Sequence, residues 1–434
     1  MQFIVKKTCS GNARIGALSG LAKLPETVIE TPTLALLTQG GSVVHLTAEV
    51  FSKVFKDPQL LWMPLCNSIQ LEKGVRAQGQ DVAKFAGLPE HIFCATLNNF
   101  NEATPSGHLE ADTVPLWTKQ GKKMIGAERY MNVMETLKPD IILAIADNNI
   151  APSDGSKRIS KSVDRTCNML EKCVQRYKNS KELRDSALIG VIVGAAEEKR
   201  CENCVQRVLA HKDVLSGVAL SGLTDGSDAS YCTPVDVLDK VFKRVANNIP
   251  NNLVRIVEGC WNPVIILSAI SHGWDLFDGS YAVRLTNSGR ALVLNYDLNQ
   301  YSSEMCILNL HDVRYKDDFR PILEGCECLT CTKHTRAYVR HLLNTREMLA
   351  SVLLSIHNLH HFDQFFRHIR QHIAADTFTA FEKLITKQYQ DYLSTYHEED
   401  IEEIDEVKKK DTPVKKKRVS NVDIPVNLVN GSCS

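Results

Sequence analysis

From about residue 140 onward, apolar and polar positions alternate in blocks that read strand, helix, strand. Ile141-Ile142-Leu143-Ala144-Ile145-Ala146 is a short apolar run, and residues 160–177 follow as an amphipathic stretch. Residues 187–193 form the next apolar run, and 202–211 read as helix. The alternation continues through residues 217–220, 235–249, 253–257 and 263–271, and Asp275-Leu276-Phe277-Asp278 closes it. Near-continuous apolar strands separated by helices predict a parallel sheet covered by helices. Repeats of roughly 30 residues are βα units, which a chain of this size can close into an eightfold barrel. An open, doubly wound sheet has the same periodicity, so the pattern leaves both arrangements open. Before about residue 100 the pattern is less regular, and residues 31–38 are its clearest strand.

Farther along, Tyr338, Leu342, Leu349, Leu353 and Ile356 keep a helical period, broken at Asn344-Thr345. Asn344 and Glu347 have capping-box spacing, which predicts a second helix starting there and carrying His357. Phe362, Phe365 and Phe366 continue it. Adjacent phenylalanines cannot both enter one core stripe of a helix, so one is expected to meet another element or a partner. The last segment changes character. Glu398, Glu399, Asp400, Glu402 and Glu403 precede Lys408-Lys409-Lys410 and Lys415-Lys416-Lys417-Arg418, with almost no aromatics, which predicts a disordered tail. Its basic part has the form of a nuclear import signal or phosphate-contacting patch, or is simply a solvated lysine run.

Composition sets the limits. The chain has 434 residues, 44% hydrophobic and 24% charged, with zero formal net charge. That is an ordinary soluble balance with room for one large α/β domain and a smaller appendage. No global field draws such a protein onto nucleic acid, so a nucleic-acid partner would need a local patch or a second subunit. The first residues lack the apolar core of a signal peptide, and no window reaches the length of a transmembrane span. Most of the fourteen cysteines are then expected as buried thiols in a reducing compartment.

One group of thiols is different. Cys326-Glu327-Cys328-Leu329-Thr330-Cys331 gathers three within six residues, and a structural zinc needs four N/S ligands in a tetrahedron. His357, on the helix that follows, offers the fourth. Cys326, Cys328, Cys331 and His357 therefore read as one structural Zn2+ site per chain, the alternative being a disulfide or unrelated core cysteines. Cys201 and Cys204 share C-x2-C spacing without a second pair, and two helix-face thiols are the expected reading. His360, His361, His368 and His372 are expected at the surface or an interface. Asp278 ends an apolar strand, where a carboxylate serves as a loop or helix cap or as a catalytic group. Asp147 and Asp225 read as caps.

The stretch Gly325-Cys326-Glu327-Cys328-Leu329-Thr330-Cys331-Thr332-Lys333-His334-Thr335-Arg336-Ala337-Tyr338, with Leu342-Leu343 and Leu354-Ser355-Ile356-His357-Asn358-Leu359, closely resembles the zinc subdomain of tRNA-guanine transglycosylases. Further resemblance runs back through Ser221-Gly222-Leu223 and Gly273-Trp274-Asp275-Leu276-Phe277-Asp278, covering most of residues 1 to about 375. Ser162-Val163-Asp164-Arg165 and Tyr315-Lys316-Asp317-Asp318-Phe319 resemble the accessory rather than the catalytic subunit of the eukaryotic heterodimeric enzyme. The resemblance implies a TIM (β/α)8 barrel over residues 1–320, a zinc-binding subdomain with C-terminal helices over 321–395, and a charged tail over 396–434. It also implies exchange of guanine for queuine at the wobble position of tRNAs with GUN anticodons (Asp, Asn, His, Tyr).

That exchange needs a carboxylate nucleophile to hold the anomeric carbon and a second group to move protons on the bases. In the family the nucleophile ends a Met-Phe-Asp motif, and Leu276-Phe277-Asp278 matches it. The rest departs. An Asp-Ser-Gly-Gly-Phe-Gln-like stretch supplies the second carboxylate, where this chain has Thr96-Leu97-Asn98-Asn99-Phe100-Asn101, and an amide is no general base. Val193-Gly194-Ala195 stands at the Gln-Gly-Gly stretch of the purine pocket, Ser221 replaces a glycine, and Ala146 falls at the base-reading Asp with Asp147 one place along. The resemblance therefore implies a catalytically silent subunit, paired with the catalytic queuine tRNA-ribosyltransferase subunit and gripping tRNA through the complex. A homodimer is the other assembly left open. The rival readings are an active transglycosylase using Asp278 and a stand-alone zinc-dependent tRNA-binding protein. Family zinc subdomains lie at the dimer interface, so the helix after Cys331 is expected to bury one face against the partner, with Tyr338, Leu342, Phe362, Phe365 and Phe366 placed either there or within this chain's own core, which helical spacing favours for Leu342. The expected location is the cytoplasm, peripheral at the mitochondrial outer membrane.

Overall fold

In a computed structural model, residues 1–105, 110, 112–150, 154–226, 233–299 and 306–408 are described, with side chains to Ser394. Three antiparallel strands come first: β1 (Gln2–Thr8), β2 (Arg14–Ser19) and β3 (Ile29–Thr31). Then follow β4 (Thr33–Gln39), its short hairpin partner β5 (Ser42–Val43), α1 (Ala48–Val54), β6 (Leu60–Pro64), α2 (Leu65–Ser68), α3 (Glu72–Gln78), α4 (Val82–Phe85) and β7 (Ile92–Thr96). A hairpin, β8 (Val114–Thr118) and β9 (Gly121–Ile125), precedes α5 (Ala127–Leu137) and β10 (Ile141–Leu143). The regular alternation comes next: α6 (Ser156–Asn179), β11 (Ala187–Ile192), α7 (Glu198–Leu209), β12 (Gly217–Leu220), α8 (Val235–Ala246), β13 (Val254–Val257), α9 (Pro263–Ser271), β14 (Leu276–Asp278) and α10 (Ser280–Asn287). The chain ends with β15 (Arg290–Leu292), β16 (Ile307–Asn309), α11 (Leu329–Lys333), α12 (Arg336–Asn344), α13 (Met348–Ala374) and α14 (Phe378–Lys408).

Eight parallel strands run in the order β4, β6, β7, β10, β11, β12, β13, β14, and β14 pairs back onto β4. Leu276 lies opposite Thr33 and Asp278 opposite Ala35, so the sheet closes into a TIM barrel and the open-sheet alternative falls. The strands are buried on both faces, which is why they read as unbroken apolar runs. The outer helices each bury one stripe. On α6 it is Ile159, Val163, Cys167, Leu170 and Val174, spaced three and four apart. The end of the barrel opposite the strand tips is sealed by the β1–β3 sheet, where buried Arg14 donates to both oxygens of Asp275 (2.9 and 2.6 Å).

The C-terminal helices differ from the sequence expectation in two places and decide between its alternatives in a third. Helix α12 ends at Asn344 as the break predicts, but Asn344 is no N-cap. Helix α13 starts at Met348 after Arg346 takes a left-handed φ of 58°, and Glu347 makes no side-chain cap bond. Phe362, Phe365 and Phe366 are all fully buried within this chain rather than facing a partner. Helix α13 lies between the barrel and α14, so both flanks of it are core. Phe366 meets Phe277 of β14 (centroids 5.8 Å apart), while Phe365 meets Phe381 of α14 (6.2 Å). Two adjacent phenylalanines thus do find separate neighbours, both of them intramolecular. Leu342 is buried too, and Tyr338 is 39% exposed, stacked on His334. Finally, α14 runs to Lys408, into the acidic run assigned to the tail, a stretch rich in the helix formers Glu and Lys. The basic segment 413–419 lies outside the described residues. No helix among the described residues is long and apolar enough to cross a membrane.

Candidate metal centre and the barrel mouth

Gly325, with φ +75°, turns the chain so that Cys326 points back at the helices. Cys328 is the N-cap of α11 and accepts from the Cys331 amide (3.3 Å), which folds the third thiol onto the second. Thr330, between them, donates its hydroxyl to the Leu353 carbonyl (2.7 Å) and fastens α11 to α13 one turn before His357. His357 Nδ1 lies 3.9, 3.6 and 3.3 Å from the sulfurs of Cys326, Cys328 and Cys331. All four ligand atoms are within 4.8 Å of one another. A tetrahedron with metal–sulfur bonds of roughly 2.3 Å and a metal–nitrogen bond of roughly 2.0 Å has edges of about 3.5–3.8 Å, so this cluster has the dimensions to hold a metal ion.

The ring of His357 is held for that purpose. Its Nε2 lies 2.8 Å from the Leu292 carbonyl, so the proton belongs there and Nδ1 is left bare toward the sulfurs. Neighbouring Asn358 accepts from the Leu292 amide (2.9 Å) and donates to Thr286 Oγ1 and the Arg290 carbonyl, locking α13 onto α10 and β15. Hydrogen bonds from the Cys328 and Cys331 thiols, joined by His357, lower the Cys326 thiol, while the same thiol–thiol bonds raise Cys328. Arg336, from the matched Arg-Ala-Tyr stretch, is buried and donates to the carbonyls of Pro321 (2.9 Å) and Ile322 (2.9 Å), pinning the loop that leads into the cysteines.

Of the other histidines of α13, His361 departs from the surface or interface placement expected of it, while His360, His368 and His372 are part-buried. His361 is buried and stacks on His357 and Tyr296, His368 stacks on Tyr296, and His372 on Phe381. Cys201 and Cys204 are buried on α7 as helix-face thiols, with Cys204 4.0 Å from Cys167 of α6.

At the C-terminal ends of the barrel strands, a polar network fills the mouth. Glu258, one residue past β13, is enclosed, and its carboxylate accepts from Thr96 Oγ1 of β7 and from Asn148 Nδ2 (3.2 Å). Asn148 also donates to Ser221 Oγ (3.0 Å) and accepts from Asn98 Nδ2 (2.8 Å). Strands β7, β10, β12 and β13 are thereby tied across the mouth. Burial pushes the Glu258 carboxyl up, since its partners are neutral donors and offer no countercharge. Sequence reasoning passed Glu258 over. Its signal was a carboxylate closing an apolar strand, the same signal that marked Asp278.

Asp278 sits at the tip of β14 and is 1% exposed. One oxygen accepts from the Ser280 amide (2.9 Å) and hydroxyl, as in the capping reading. The other has no hydrogen-bond partner among the described residues. Burial, with Glu258 nearby, pushes its pKa up to about 7 against the Ser280 bonds. Asp147 is not a cap: Arg158 grips both of its oxygens at 2.8 Å, and Arg165 of the same helix pairs with it as well. Gly222, with φ +71°, is covered by Ile150, whose Cγ1 is 2.7 Å from where a Cβ would stand. The backbone matched to the purine pocket is thus occupied by the chain's own side chain. The Asp225 carbonyl accepts from the Thr104 amide (2.9 Å).

Comparison with known proteins follows the same lines. The model of the family described as queuine tRNA-ribosyltransferase matches residues 9–391. The chain is similar to proteins named queuine tRNA-ribosyltransferase accessory subunit 2. One from Culex quinquefasciatus is 35% identical over 382 residues, 87% of this chain and 89% of the relative. One from Aedes aegypti is 33% identical over 422 residues, covering 96% and 100%. One from Anopheles gambiae is 34% identical over 383 residues, covering 87% and 88%.

Proposed function

Because this chain belongs to the queuine tRNA-ribosyltransferase family, with a role in queuosine modification of tRNA, we propose that it works there as the non-catalytic subunit of a heterodimer. The observation that carries this reading is the filled barrel mouth. Asn98, Asn148, Ser221 and Glu258 bond to one another, Ile150 covers Gly222, and Asp278 is turned onto its own Ser280. A nucleophile position with an amide where its acid/base partner belongs, and with Ile150 over the backbone matched to the purine pocket, lacks groups that base exchange needs. The carboxylate that attacks the ribose then belongs to the catalytic partner, acting on tRNAs with GUN anticodons. Base exchange would take place in the cytoplasm, with the complex peripheral at the mitochondrial outer membrane.

Zinc, held by Cys326, Cys328, Cys331 and His357, would supply a structural cross-link between the α11 loop and α13 and no chemistry. Its subdomain supports a partner-facing role in a way that the buried phenylalanines do not. Its exposed large apolar residues include Leu329, Tyr338, Met348 and Leu349, with Met348 at 86%, and Val313 and Phe319 (75%) are exposed on the segment that leads into it. Apolar exposure concentrated in one subdomain marks a protein interface.

Co-expression with and without the catalytic subunit, followed by guanine exchange on tRNA, tests the proposal. The pair should exchange, this chain alone should not, and Asp278→Ala in the pair should leave the rate nearly unchanged. Exchange by the purified chain alone would return the active-transglycosylase reading.

A further inference from the structure

The β8–β9 hairpin is not used by the metal centre or by the mouth network. It stands beside α2, the helix that leaves the C-terminal tip of β6, and so forms part of the rim on which Asp278 and Glu258 lie. Residues 113–126 hold Lys119, Lys122 and Lys123 and no acidic residue, and all three lysines are exposed. Across a groove of about 310 Å³, Lys73 of α3 and Arg129 of α5 face Lys123, with Gln70 and Gln120 adding amide donors. Arg76 lines the adjoining recess with Lys73 and Arg129.

Glu72 is the one carboxylate among the described residues lining this groove, and it is already engaged. Arg129 donates to both of its oxygens, one at 2.8 Å, and Arg76 donates at 2.7 Å. The carboxylate is nearly buried (9% exposed), while the two guanidinium groups it aligns are 64% and 49% exposed. One negative charge therefore presets two outward-facing arginines, and the surface keeps six cations against it. Among the acids flanking the hairpin, Asp112 pairs with Lys172 (3.4 Å), Glu110 accepts from Thr113 Oγ1 (3.2 Å), and Glu128 interacts with Arg176. Lys122 lies over the half-buried Trp117 ring, 5.7 Å from its centroid, on the face of the hairpin opposite Leu116 and Lys123, which line the groove. The hairpin shows none of the exposed large apolar residues that insertion into a lipid surface would use.

A chain with zero net charge captures polyanions only through such local concentrations. We infer that the groove lined by Lys73, Lys123 and Arg129, with Arg76 in the adjoining recess and Lys119 and Lys122 elsewhere on its hairpin wall, is the surface on which this subunit grips the RNA backbone, through phosphate contacts that position the RNA without reading its bases. The inference rests on the proposed function, which brings tRNA to the complex, and adds where this chain holds it. Grip at the rim of a silent mouth orients the substrate for the partner's active site.

The test uses the co-purified complex and a transcribed tRNA with a GUN anticodon. Affinity is measured across a salt series for wild type and for a Lys73→Gln/Lys122→Gln/Lys123→Gln variant. All three side chains are exposed and lie outside the metal site, so melting temperature and zinc content should not change. Affinity should fall by about tenfold or more, equally for tRNAs of different sequence, and the salt slope should drop by roughly one for each phosphate the variant no longer neutralises. Charge reversal at Lys73 and Lys123 should deepen both effects. If the variants bind with wild-type affinity and slope while the wild-type complex binds and exchanges normally, the inference falls and the proposed function stands. If the wild-type complex neither binds tRNA nor exchanges guanine, both fall.

Discussion

Replacing Asp278 by asparagine separates a catalytic carboxylate from a vestigial one, because the two readings predict opposite outcomes. The carboxyl is fully buried, one oxygen has no partner, and its pKa is raised from 3.8 to about 7. A raised folded-state pKa means that this group's contribution is most favourable below about pH 4 and is lost as pH climbs through about 7. Above that, keeping the ionised group buried costs about 4 kcal/mol. The substituted amide escapes that cost and can still accept from Ser280 through its carbonyl, but its new N–H2 is left unpaired, at about 1–3 kcal/mol. That second cost does not depend on pH. The difference in unfolding free energy between Asp278→Asn and wild type should therefore move by about 2–3 kcal/mol in favour of the variant between about pH 5 and about pH 8. Denaturant melts at both pH values, scored against guanine exchange by the heterodimer, make the assay. Stabilisation at high pH with undiminished exchange is the expected result. A pH-independent difference would refute the burial argument, and loss of exchange without loss of stability would refute catalytic silence.

Other substitutions test the remaining parts. Cys328→Ser or His357→Ala should lower zinc from about one per chain and lower the melting temperature with it, by metal analysis and calorimetry on the same samples. Phe366→Ala should cost about 3–5 kcal/mol, and charged residues at Phe362, Phe365 or Phe366 should remove soluble protein altogether, because all three rings are core. Phe319→Asp or Met348→Asp should weaken co-purification with the catalytic subunit while zinc and melting temperature stay normal, since both side chains face solvent in this chain.

Parts of this were legible in the sequence for reasons the structure makes plain. Strands buried on both faces give unbroken apolar runs, so β10 to β14 and their helices stood out. Closure did not, because it depends on β14 pairing with β4 across more than half the chain. Strands β6 and β7 are five residues each and set among short helices, which blurred the period before residue 100. The four metal ligands were readable from spacing because a loop and the next helix bring them together. Glu258 was not, since its meaning lies in Thr96, Asn148 and Ser221, each from a different strand. For the phenylalanines, the need for a second neighbour was legible but not its identity, because α14 buries the flank of α13 that a single amphipathic helix would leave exposed.

The central claim is that the carboxylate attacking the ribose is not on this chain. Trapping the covalent tRNA adduct formed by the heterodimer, and identifying the modified subunit by mass, tests it directly. The account predicts an adduct on the catalytic subunit and none here, with Asp278→Ala making no difference to its yield. An adduct on this chain, mapped to Asp278, would contradict it.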